Sequence, residues 1–71
     1  MNTMFESGNY FARIQNKGGH LKITIWDNKG DKLFSDFLGP DPAVQFWNGV
    51  ESLTNSQVAD EIKNKTAAMK T

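Results

Sequence analysis

The chain has 71 residues, eight Lys plus Arg against eight Asp plus Glu, one His and no Cys. A domain this short buries only about 60% of the surface its unfolded chain exposes, and neither a disulfide nor a zinc site of four Cys or His ligands can add to that. A net charge of zero excludes the acidic excess of a DNA mimic and the basic excess of a sequence-independent phosphate binder.

The remaining composition, 38% hydrophobic and 11% aromatic, points to one folded domain over residues 1–71 rather than a disordered chain. Apolar runs reach only two or three residues, so no membrane span is expected. Residues 1–8 lack the basic stretch and apolar run of a secretory signal. With no cysteine to oxidise, the expected location is the cytoplasm. Charge is mildly split, five positive and three negative side chains in residues 1–35 and the reverse in 36–71, too little to decide a partner.

Residues 1–8 contain Met4 and Phe5 without a period and read as an N-terminal arm. Residues 9–38 read as a three-stranded antiparallel meander, with strands over 10–15, 21–26 and 32–37. Each alternates and is rich in β-branched or aromatic residues. Two turn phrases divide them, Asn16-Lys17-Gly18-Gly19 and Asn28-Lys29-Gly30-Asp31. Asn tolerates positive φ and Gly adopts it freely, as tight hairpins require.

A first loop at Lys17-Gly18 sets Ile14 opposite Leu21 and Ala12 opposite Ile23. A second loop from Asn28 to Gly30, with Gly30 in a left-handed bulge position, sets Ile25 opposite Leu33 and Leu21 opposite Phe37. One face is then largely apolar and reads as the buried one. A one-residue slip in the first hairpin would put Arg13 beside Leu21, an unpaired charge in the core. On the other face Phe11, Thr24 and Phe34 line up with Trp26 beside them, and Arg13, Lys22 and Asp36 form the next row.

Gly39-Pro40-Asp41-Pro42 ends the sheet. Asp41 suits an N-cap and Pro42 the first helical turn. Residues 42–69 read as one or two helices, with Ala43, Phe46, Trp47, Val50 and Leu53 at helical spacing. Thr54-Asn55-Ser56-Gln57 matches a capping box and marks a second start. The alternative is one helix from Pro42 to about Lys65. Residues 66–71 are expected to fray. The expected fold class is α+β: the meander with one or two C-terminal helices on one face.

Chemistry is sparse. His20 beside a glycine turn is the only possible imidazole base and reads as solvated. Asp27 and Asp31 flank a hairpin loop with no cavity behind it, unlike an acid–base pair. The same stretch lacks the distal bidentate Glu of a calcium loop and carries Lys29 at its centre. Gly18-Gly19 leads into a strand, not the helix N-terminus of a phosphate loop. No catalytic residue, metal ligand or cofactor is expected, and no enzymatic activity.

Binding is the better fit. Interface cores favour Trp, Tyr, Phe, Met and Arg, and Phe11, Arg13, Lys22, Trp26 and Phe34 form the candidate contact set. Trp26 is its aromatic anchor, and Arg13 and Lys22 supply directional contacts. In a meander the strands over 10–15 and 32–38 are both edges, open to strand addition. The competing reading has Met4, Phe5 or Trp47 covering these rings, with Trp47 itself expected in the core beside Phe46.

The expected partner is a larger protein or protein complex, occluded by a small inhibitor or adaptor. Phage-encoded inhibitors of host enzymes or defence systems, anti-CRISPR proteins among them, share this general build by size and element order. The alternatives are a nucleic-acid-binding domain using aromatic and basic residues on the sheet face, and the subunit of a homodimer. For the former, residues 9–53 resemble in element order the AP2-type and integrase-arm DNA-binding domains, which read a groove with a three-stranded sheet. The dense Arg and Lys of those sheets are absent here.

Overall fold

A computed structural model describes residues 2–38 and 44–69. The elements are β1 Asn2–Ser7, β2 Tyr10–Lys17, β3 His20–Trp26, β4 Lys32–Leu38, α1 Val44–Leu53 and α2 Ser56–Met69. The strands form one antiparallel sheet in the order β1-β2-β3-β4. The α+β class and the meander stand, but with four strands rather than three. The segment expected as an arm is β1.

Its period is hidden because Thr3 and Ser7 share the helix-side face with Phe5. Ser7 is buried and donates its hydroxyl hydrogen bond to Glu61 Oε1 at 2.9 Å, which satisfies it. Ser7-Gly8-Asn9-Tyr10 closes the hairpin. Only Gly8, at φ +60°, has positive φ in this turn, the pattern of a type II′ turn. Pairing with β1 makes β2 interior, so the edges are β1 and β4: the strand over 32–38 is an edge as expected, and the strand over 10–15 is not.

The first glycine turn lies at Gly18-Gly19, one residue later than expected, with φ +63° and +89°. A type I′ turn needs positive φ at both central residues, and two glycines meet that without strain whereas Lys17 would not. The pairing becomes Ile14 with Ile23 and Ala12 with Ile25, two residues from the expected register. A shift of two preserves the faces.

The second loop forms as expected. Gly30 has φ +90°, and its N–H donates to the Asp27 carbonyl at 3.1 Å. Beyond Trp26 paired with Lys32, a β-bulge at Leu33 advances β4 by one residue, so Ile25 faces Phe34 and Leu21 faces Leu38. The odd shift turns β4 over. Phe34 and Leu38 lie on the helix side, while Ser35 and Phe37 lie opposite.

The core gathers Ala12, Ile14, Leu21, Ile23, Ile25 and Leu38 from the sheet under Val50 of α1 and Val58, Ala59 and Ile62 of α2. Phe5, Tyr10, Phe34, Phe46 and Trp47 pack around it. The 42–69 stretch holds two helices over its described part. Its start at Asp41 and Pro42 lies outside the described residues. Asn55, not Thr54, caps α2: its Oδ1 accepts from Val58 N at 2.9 Å. Thr54 instead donates to the Val50 carbonyl at 2.6 Å and closes α1. Helix α2 runs on to Met69, and Thr66 is buried, donating to the Lys63 carbonyl at 2.9 Å, so the helix continues through 66–69; the last two residues of the stretch expected to fray, 70 and 71, lie outside the described residues.

Candidate functional site: the open face of the sheet

Both helices lie on one face of the sheet, and among the described residues no element layers over the other. Register builds that open face in three rows. The first runs Glu6, Phe11, Trp26, Lys32. The second runs Met4, Arg13, Thr24, Ser35. The third runs Asn2, Gln15, Lys22, Phe37.

Apolar groups break its surface. Met4 is 63% exposed, Phe37 50% and Phe11 38%. Trp26 is half-buried beneath Arg13, whose guanidinium carbon sits 5.2 Å from the centre of the indole. Lys22 Nζ lies 5.7 Å from the centre of the Phe37 ring. Each cation thus rides on a ring, an arrangement worth about 0.5–1 kcal/mol at exposed sites. Thr24 fills the middle, only 3% exposed, with Oγ1 3.4 Å from Ser35 Oγ. Arg13 Nε is shielded from solvent and has no hydrogen-bond partner among the described residues.

Charge is segregated although the chain as a whole is neutral. Alternation adds Lys17 to the same face, so Arg13, Lys17, Lys22 and Lys32 stand against the single carboxylate of Glu6. The face carries net +3, and the rest of the chain balances it.

Of the expected contact residues, Phe11, Arg13, Lys22 and Trp26 come together on this face. Phe34 does not. The bulge turns it to the helix side, where its ring meets Phe46 edge-on at 5.3 Å. Phe37 takes its place, a residue the alternating pattern had assigned to the core. Either phase of β4 shows two apolar side chains, so periodicity alone could not separate them. Of the three covers in the competing reading, Phe5 and Trp47 pack on the helix side and Met4 lies within the open face opposite Arg13, while Phe34 alone of the expected rings is packed under a helix, against Phe46 of α1.

The turn residues behave as turn residues. Asp27 Oδ1 accepts from Lys29 N and Asp31 N, both at 2.9 Å, so this carboxylate is engaged in shaping its own loop. His20 is exposed at the start of β3. Among the described residues, no helix is long and apolar enough to cross a membrane. Comparison with family models, curated proteins and solved structures gave no match for this chain.

Proposed function

We propose that this chain is a non-enzymatic protein-binding module, an inhibitor or adaptor that occludes a surface of a larger protein. The observation that supports this is the open face, where Phe11, Trp26 and Phe37 stand among Arg13 and Lys22 with no layer above them among the described residues. Rings and Arg concentrate binding energy at interface centres. The four-stranded face measures roughly 14 Å by 20 Å from strand spacing and rise. That is about a third of the ~800 Å² per partner of a standard interface. Contacts therefore extend past the sheet, or binding is transient. A phage-type inhibitor of a host enzyme or defence complex remains the class suggested by size and element order. Mechanism on this reading is steric, with no bond made or broken.

The test is affinity capture from the native host with the wild-type chain and Trp26→Ala in parallel. Trp26→Ala is expected to keep its circular dichroism spectrum and lose the captured protein. Capture that survives both Trp26→Ala and Arg13→Ala would remove the open face from the reading.

One observation favours a second reading, nucleic-acid binding: the +3 charge of the face interleaved with rings on which bases could stack. A salt titration with labelled single-stranded and duplex oligonucleotides separates the two. Nucleic-acid binding must weaken steeply as salt rises. No binding at low salt discards it.

A further inference from the structure

We infer that β1 is a self-association edge, and that two copies of the chain pair β1 with β1 in antiparallel fashion about a twofold axis at Met4, joining two four-stranded sheets into one of eight strands. This does not depend on what the open face binds.

The two edges of the sheet differ in how they are guarded. β4 carries the usual protections of a natural edge: a bulge at Leu33, Lys32 at its start, and a charged Asp36 on the helix-side face opposite Ile23. The Asp36 carboxylate also accepts from Phe37 N at 2.8 Å, which occupies a backbone donor of that strand. β1 has none of these. It is six residues of regular pairing without Lys, Pro or bulge.

Its free groups follow from the hairpin. Ser7 and Tyr10 flank a two-residue loop and exchange hydrogen bonds, as do Phe5 with Ala12 and Thr3 with Ile14 by alternation. The backbone N–H and C=O of Asn2, Met4 and Glu6 therefore point away from the sheet.

A second copy fits this edge in one register especially well. With Met4 opposite Met4, Asn2 stands opposite Glu6 at both ends. All three outward residues of each copy then exchange backbone hydrogen bonds, and no like charges face each other. The exposed thioethers meet at the axis. Centring the axis on Glu6 would set two carboxylates together and use fewer bonds. The cations of the open face lie on β2, β3 and β4, and β1 contributes only Glu6, so on that face the joined sheets bring no cluster of positive charge to the seam; on the helix side Lys65 of α2 lies over the Phe5 ring, 4.7 Å from its centre. The contact is isologous, the commonest closed arrangement of identical chains.

An interface of one strand pair is at the low end of specific contacts, so the concentration range to scan is about 1 µM to 1 mM. Sedimentation equilibrium of the wild-type chain is expected to show a reversible monomer–dimer equilibrium in that range. Met4→Pro removes both central donors yet sits where an edge strand tolerates proline, and its dissociation constant is expected to rise about tenfold or more. Met4→Lys, which leaves the backbone intact, sets two ammonium groups together at the axis and weakens the dimer in the same direction. Ser35→Lys on β4 leaves it unchanged. A wild-type chain that stays monomeric throughout, or a dimer equally tight in Met4→Lys, overturns the inference. So does a dimer weakened as much by Ser35→Lys.

Discussion

Arg13 and Trp26 are diagonal neighbours across β2 and β3, with the guanidinium carbon 5.2 Å from the indole centre. Arg13 stands opposite Thr24, and Trp26 follows two residues later on the same face. The planar guanidinium can lie flat on the ring, where an ammonium would not. Arg13→Lys is therefore expected to lower stability by less than about 1 kcal/mol while uncovering the indole. Acrylamide quenching of Trp26 fluorescence, read in a Trp47→Phe background, should rise. Unchanged quenching would mean that Arg13 does not shield the ring.

The bulge at Leu33 is tested by two phenylalanines three residues apart. Phe34 packs against the core and Phe46, while Phe37 is half exposed. Phe34→Ala is expected to cost about 2–4 kcal/mol in urea unfolding. Phe37→Ala should cost less than about 1 kcal/mol. The opposite order would restore the unbulged register.

Glycines should respond with opposite signs. Gly19, at φ +89°, cannot take a Cβ without strain, and Gly19→Ala is expected to destabilise by about 1–2 kcal/mol. Gly49 lies in α1, where an added Cβ would meet nothing within 4 Å. Gly49→Ala should stabilise by about 0.5–1 kcal/mol. Thermal unfolding of the two variants measures both effects, and equal signs would contradict the turn geometry.

The start of α2 offers a comparison of caps. Asn55 Oδ1 holds Val58 N at 2.9 Å, so Asn55→Ala is expected to cost about 1 kcal/mol. Gln57 reaches only Glu61, at 3.4 Å, and Gln57→Ala should change stability by less than about 0.5 kcal/mol. A capping box centred on Thr54 would reverse the sensitivity of these two positions.

The α+β class, the strands β2, β3 and β4 and the two glycine turns between them were legible in the residues, and two helices stood there beside the alternative of one. Each is specified within a few positions of chain: alternation over six residues, glycine where φ must be positive, a capping side chain before a helix. Phe11, Arg13, Lys22 and Trp26 could be placed on one face because β2 and β3 keep strict alternation and the first hairpin erred by an even number of residues. Tertiary packing decided the rest. β1 exists because Ser7 finds Glu61, 54 positions away, and because Phe5 finds the core. Phe34 rather than Phe37 turned inward because burying Phe34 and Leu38 under the helices outweighs one unpaired bulge residue. No local pattern carries that balance, since either phase of β4 reads as a strand, and only the position of α1 distinguishes them.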